Sequence, residues 1–338
     1  MTAPLFPTVA IVDAFGQFLQ PTTLLDVLIN GLAKGAVYIL IATGLTLIFG
    51  LLGVLNFAHG SLTMVGAYLG GLLMILAVGE ATGDVGRVLW FLIAIAVVLL
   101  VISALGGVIE VGLIRPLYDR PPIYQILLTF GLTLILDETM RIVLLFYGIQ
   151  PLADWQDAFG TKPAFMDRTL GVGPVSVTPL ELFEIGVGAL TVAGVWLFLT
   201  RTRYGMIIRA GSEDDEMTSA LGIDVNRVFT VVFALGSGLA GLAGVLLMWD
   251  QVWGASVPLS SETLLPAFVV VIVGGLGTFR GTVVAGLGIG LIDAIMTWWF
   301  VNAIFFPSLP ELTIFLILVV TLIVRPQGLF GREGVGGH

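Results

Sequence analysis

Nine apolar stretches, seven of them long enough to cross a bilayer, follow one another along this chain. They run over residues 24–49, 53–78, 87–114, 123–147, 179–200, 226–250, 264–276, 282–305 and 311–324. One helical crossing takes about 20 apolar residues. Backbone in hydrocarbon must satisfy its own N–H and C=O groups, so only helices and closed barrels span. A barrel needs short segments of alternating polarity, and none occurs. The expected fold is all-α: a polytopic integral membrane protein of about 8–10 transmembrane helices, including broken or re-entrant segments. Residues 1–338 then form one transmembrane domain. The seventh stretch is short and carries Pro266 and the run Gly274-Gly275-Leu276-Gly277, so it reads as broken or re-entrant.

Composition agrees. Charged residues are 11% of the chain, against about 25% in soluble domains. The 44 glycines suit close helix packing. A net charge of −9 argues against nucleic acid. With no cysteine, disulfide and thiolate chemistry are excluded. No Lys or Arg precedes Lys34, so residues 1–21 lack the basic start of a secretory signal and read as an external or interfacial segment.

Basic residues orient the spans, because short cytoplasmic loops are rich in Lys and Arg. Arg115 and Arg120 follow the third span, Arg201, Arg203 and Arg209 the fifth, Arg280 the seventh, and Arg325 and Arg332 the last. Nine crossings put all of them on one side. The N-terminus is then outside, the C-terminus cytoplasmic, and residues 148–178 form an extracytoplasmic segment with room for a short interfacial helix.

Residues 201–225 are a polar island in this apolar chain. Gly205 is expected to break the helix leaving the membrane. Ser212 and Asp215 resemble a capping box, Glu213 and Asp214 suit the first turn, and Gly222 suits the stop. Met217, Ala220 and Leu221 share one face of the short helix 213–221. A helix this short is unstable alone and is expected to dock on another protein.

A second constellation is Asn56-Phe57-Ala58-His59-Gly60, an amide and an imidazole beside glycines within an apolar stretch. Such groups face protein or water rather than lipid. Two readings stay open: a pore-lining or gating break, or a satisfied turn at the cytoplasmic end of a hairpin. Asp137, Glu138 and Arg141 sit at spacings that let Arg141 pair with either acid, as a structural ion pair near the outer end or as a substrate site. Asp293, the sole charge of the eighth stretch, needs a partner inside the bundle. Asp250 and Glu262 read as outer-loop residues, and Trp298 and Trp299 as an interfacial belt. Nothing has metal-ligand spacing, and no paired carboxylates or nucleophile elbow point to an enzyme. No Gly-x-x-x-x-Gly-Lys-Ser/Thr occurs, so no phosphate loop of this chain binds ATP.

These residues match a family. Asn30-Gly31, Gly35-x-x-Tyr38, Gly53-Val-Leu-Asn56-Phe57-Ala58-His59-Gly60, Glu110-x-x-x-x-Arg115-Pro116, Gly205-x-x-x-Arg209-Ala210, Ala220-x-Gly222-Ile223, Gly274-Gly275-Leu276-Gly277-x-x-x-Gly281 and Arg325-Pro326-x-Gly328-Leu329-x-Gly331 occur in order. The chain resembles permease subunits of ATP-driven (ABC) importers for branched-chain amino acids. The resemblance implies a prokaryotic inner-membrane permease that pairs with a second permease, homologous or identical, with two ATPase subunits and with an external solute-binding protein. ATP would act through the partner subunits, with no cofactor on this chain. The island would be the coupling helix seated in the ATPase, through Arg203, Gly205, Arg209, Ala210, Met217, Ala220, Leu221 and Gly222. Asn56, Phe57, His59, Gly60, Gly274 and Gly277 are the pathway candidates. Relatives of this type also carry urea, short amides or other small polar solutes. A different class, an ion-coupled secondary transporter or channel, would use embedded acids such as Asp293.

Overall fold

The computed structural model describes residues 8–79, 81–172, 175–211, 224–250, 253–304 and 310–331. The helices are α1 (Thr8–Phe18), α2 (Pro21–Leu52), α3 (His59–Ala77), α4 (Asp84–Ile109), α5 (Pro122–Phe146), α6 (Gln156–Phe159), α7 (Pro179–Arg201), α8 (Arg203–Gly211), α9 (Val225–Leu247), α10 (Leu259–Gly274), α11 (Phe279–Trp299) and α12 (Pro310–Val324). Among the described residues the strands are one small hairpin, β1 (Leu170–Val172) antiparallel to β2 (Val175–Val177). The protein is an all-α polytopic membrane protein. Six helical segments are long and apolar enough to cross a membrane: α2, α3, α4 with its extension to Leu117, α7, α9, and α11 with its extension to Ile304. α5 has 25 residues but carries Asp137, Glu138 and Arg141; α10 and α12 are shorter, at 16 and 15 residues.

α2 is the hub. It packs on α11, α9, α7 and α10, and its middle is buried on all sides. A helix apolar all round suits that position. Close approaches fix the helix directions. Gly31 meets Leu291, and Gly35 meets Leu287, so α11 runs antiparallel to α2. Asn30 donates to Glu181 and Gly188 packs on Ala36, so α7 runs parallel to it. Gly66 meets Gly241 and Gly70 meets Val245, so α9 runs parallel to α3. Gly106 meets Ser237 and Ile102 meets Gly241, so α4 runs antiparallel to α9. Arg115, Arg120, Arg201, Arg203, Arg227, Arg280 and Arg325 therefore collect at one end of the bundle, and residues 149–172 lie at the other.

Local chemistry sets the ends. Thr178 and Glu181 form a reciprocal capping box with Pro179 in the first turn of α7. α4 passes through a π-turn (Glu110–Ile114) and a 3₁₀ turn (Arg115–Leu117), where Pro116 lacks the N–H that would continue it. At the opposite end Trp155 packs on Gly71 and Tyr68, and the Trp249 indole donates to the Ala158 carbonyl at 2.9 Å. The segment expected to hold an interfacial helix thus plugs the bundle with the single turn of α6. Burial and nearby Asp250 push the Asp154 carboxyl up. Trp298 and Trp299 pack on Phe18 of α1, with centroids 5.0 and 5.4 Å away. The two tryptophans tie α1 down as well as marking an end of α11.

Candidate functional site

Three places carry the polar chemistry. The first begins where α2 ends. Gly53 adopts a left-handed conformation (φ 65°), which favours glycine, and turns the chain back. Residues 53–58 are not helical. His59 Nε2 lies 2.9 Å from the Ile41 carbonyl, so that nitrogen carries the proton and donates. Ile41 is eleven residues, about 16 Å, before the end of α2. The chain after Gly53 therefore climbs back beside α2, and α3 starts about half-way through the bundle. The apolar stretch expected from residue 53 is thus unwound as far as residue 58, and the break, whether gate or turn, lies at depth rather than at the end of α2.

Asn56 and His59 are buried. Asn56 Oδ1 accepts from the Ala58 N–H at 3.1 Å, and the Leu55 carbonyl accepts from Thr129 of α5. Phe57 packs against Phe268 at a tilt and meets Phe130 edge to face. Gly60 lies so close to α10 that a Cβ there would run into the Ser260 carbonyl. α10 also starts inside the bundle, after the buried residues 254–257. Asp137 sits beside both helix starts: Ser61 donates to Oδ1 and Ser260 to Oδ2, each at 2.7 Å. Of the two acids it could reach, Arg141 pairs with Glu138, at 3.5 Å, while Asp137 is taken up by the serines. The charge spacing on α5 pointed to an ion pair, whereas the serines come from distant helices, beyond the reach of sequence spacing.

The second place is the basic end. Gly274 packs on Gly281, and Gly277, with φ 74°, packs on Gly50. The Leu329 and Phe330 N–H groups donate to the Val273 and Gly274 carbonyls. On α2, Gly50 is six residues from Gly44, the neighbour of His59, or about 9 Å nearer the basic end. The pathway candidates therefore form two groups: Asn56, Phe57, His59 and Gly60 at mid-depth, and Gly274 and Gly277 at the α10–α11 turn.

Between α7 and α8 the break is at Thr202, which is extended and bonds both the Phe198 carbonyl and the Gly205 N–H. Gly205 lies inside α8, so the expectation that it ends the membrane helix is corrected; it lets α8 fold onto the carbonyls of Phe198 and Leu199. Ile208 is buried with Leu47, Val228 and Val232, while Arg203 and Ala210 are exposed. Arg209 belongs to α8. Met217, Ala220, Leu221 and Gly222 lie outside the described residues, as does the helix expected over 213–221.

The same end holds a network that residue spacing did not single out as a site. Glu110 is fully buried and accepts from Arg115 at 2.8 and 3.1 Å, from Thr230 at 2.8 Å and from Tyr118 at 2.9 Å. Burial, then the Glu110 charge, push the Tyr118 hydroxyl up, so it stays a donor. The Glu-x-x-x-x-Arg-Pro motif was its only signal. The third place lies toward the opposite end, where Asp293 finds the partner it required: Lys34 at 2.9 Å, with the Tyr38 hydroxyl at 3.2 Å.

The model of the family described as "branched-chain amino acid transport system / permease component" matches residues 27–325. The chain is 30% identical over 314 residues to the high-affinity branched-chain amino acid transport system permease protein BraD of Pseudomonas aeruginosa, covering 92% of this chain and 97% of BraD. It is 29% identical to the permease protein LivH of the corresponding system of Escherichia coli K12, covering 96% and 98% of the two chains. It is 28% identical to a probable LivH of Methanocaldococcus jannaschii, covering 87% and 89%. The matched stretch contains the mid-depth break, the Glu110 network and the glycine turn, and the chain belongs to the family of branched-chain amino acid transport system permease components.

Proposed function

We propose that this chain is a transmembrane permease subunit of an ATP-driven importer and passes branched-chain amino acids delivered by an external solute-binding protein. The observation that carries the reading is the family match over nearly the whole chain, with relatives of the same length named for that transport. A homologous or identical second permease completes the path, and two ATPase subunits supply the energy. The basic end faces the cytoplasm, residues 148–178 face outward, and residues 201–225 form the coupling loop. Arg203, Arg209 and Ala210 belong to the ATPase contact together with Met217, Ala220, Leu221 and Gly222. Gly205 sets the angle of α8 on the bundle. Asn56, Phe57, His59 and Gly60 form a joint of the pathway, where two helices start at mid-depth. Gly274 and Gly277 form the turn that ties this joint to the basic end.

The test is uptake by proteoliposomes that hold the chain with its partner subunits. Labelled leucine should enter only with ATP on the ATPase side and binding protein on the other. Uptake driven by an ion gradient without ATP would replace this reading with a secondary transporter.

A further inference from the structure

The middle of α5 carries charge on an open face. Glu138 and Arg141 are 62% and 45% exposed in their side chains and lie 3.5 Å apart. Their depth follows from two independent routes. Asp137, next in sequence, holds Ser61 in the first turn of α3. That turn sits beside Ile41, about 16 Å from the end of α2. From the other side, α5 ends at Phe146, nine residues or about 13 Å beyond Asp137. A hydrocarbon layer about 30 Å thick places Glu138 near its centre, with Arg141 about one turn nearer the end of α5.

Other open faces differ. Leu100 and Val108 on α4, Leu190 on α7, and Leu316 and Val319 on α12 are exposed and apolar, as lipid contact requires. Among the described residues of α5 and the six spanning segments, α5 alone exposes formal charge away from a helix end; elsewhere Asp13 is exposed on the short α1 and Glu262 in the first turn of α10. Charged side chains at this depth face a bundle interior or a water-filled cavity. Among the described residues neither surrounds Glu138 and Arg141, which points to the rest of the assembly.

We infer that this face of α5 lines a water-filled path against the second permease subunit, and that Glu138 and Arg141 meet the ammonium and carboxylate of the amino-acid solute there. This rests on the proposed permease function. The chemistry is matched: a zwitterion presents both signs a few ångströms apart, and the pair offers the complement. With no solute the two charges neutralise each other, which lowers the cost of leaving them open. Asp137 holds the back of the same helix on Ser61 and Ser260, and so positions the pair relative to the starts of α3 and α10.

Cysteine chemistry tests this cleanly, because the chain has none of its own. Glu138→Cys and Leu134→Cys, one turn apart on this face, would be made in the assembled complex, with Leu100→Cys as the lipid-facing control. The probes are a charged, water-soluble methanethiosulfonate and a lipid-soluble maleimide. The charged reagent should modify positions 138 and 134 and spare position 100, and saturating leucine with the binding protein should slow modification at 138 several-fold. Leu134→Cys leaves both charges in place and covers failure of the Glu138 variant to assemble. Labelling of 134 and 138 by the lipid-soluble probe alone would overturn the inference. Modification that leucine does not slow would overturn the solute contact. Leucine uptake by the native complex, measured alongside, separates the cases: absent uptake sinks the transport function, whereas uptake without charged-reagent access sinks only this inference.

Discussion

Gly60 shows how much one missing methyl decides. A Cβ there would strike the Ser260 carbonyl and come within 2.8 Å of Leu264 Cβ. Backbone cannot step aside as a flexible side chain does, so even Gly60→Ala should cost about 1–3 kcal/mol of overpacking. Thermal unfolding in detergent should show a clear fall in midpoint; an unchanged midpoint would mean that α10 moves freely away from α3. Asp137 is the complementary case. Asp137→Ala strips the acceptor from two hydroxyls, and leaving buried donors unpaired costs about 1–3 kcal/mol. Asp137→Asn keeps one acceptor and should lose less, so the order native, Asn, Ala in melting temperature is the prediction, and equal losses would contradict it. Glu110→Ala is expected to be worse than either, because it leaves Arg115 beside an emptied acidic site. Breaking a buried pair costs about 3–5 kcal/mol, discounted here because the Arg115 side chain is 32% exposed. Of these residues, the motif around Asn56 and Gly60 was visible in sequence. The Asp137 pair of serines was not, since Ser61 and Ser260 lie 76 and 123 positions away.

At the scale of elements, most helices were legible because twenty apolar residues have few other solutions. The errors sit where apolar content stops reporting structure. Residues 53–58 include Val54, Leu55, Phe57 and Ala58, as apolar as any span, yet they form an unwound return. Non-helical backbone is tolerated at depth only when protein covers it, and that cover comes from α2, α5 and α10, which no local pattern announces. The start of α10 at Leu259, five residues before the apolar stretch, has the same cause: Ser260 and Thr263 are buried by partners rather than by their own hydropathy. Thr202, rather than Gly205, breaks α7 from α8 because its hydroxyl accepts the Gly205 N–H and donates to Phe198, a local cap that competes with the helix. α8 is held by Ile208 against Leu47 and Val228, so the polar island leaves the bundle on a fixed stem. If that island grips the ATPase, Ala220→Glu with Leu221→Glu should abolish co-purification of the ATPase while the permease still inserts. Undiminished complex formation would remove the assignment. Ile208→Asp should weaken the same complex indirectly, by freeing the stem, and should also lower the permease's own thermal stability.

For the whole molecule, the alternation of helix directions and the crowding of arginines at one end are linked by a single physical fact: basic side chains near a membrane helix stay on the cytoplasmic side. Sequence parity and the packing directions arrive at the same division of ends independently, one from charge and the other from close glycine contacts such as Gly31 with Leu291 and Gly66 with Gly241. Parity was legible because each stretch flips the chain once, even where its boundaries were misjudged. What parity leaves open is which end is which, and the proposed orientation rests on the arginine bias alone. Asp157, in α6, is exposed at the end opposite the arginines, and Arg120 is exposed among them. In a chain without native cysteine, Asp157→Cys should react in intact cells with a maleimide that cannot cross the membrane. Arg120→Cys should react only after the membrane is opened. The reverse pattern would turn the protein over and carry the ATPase contact to the wrong side, so the orientation and the coupling role of residues 201–225 stand or fall on the same measurement.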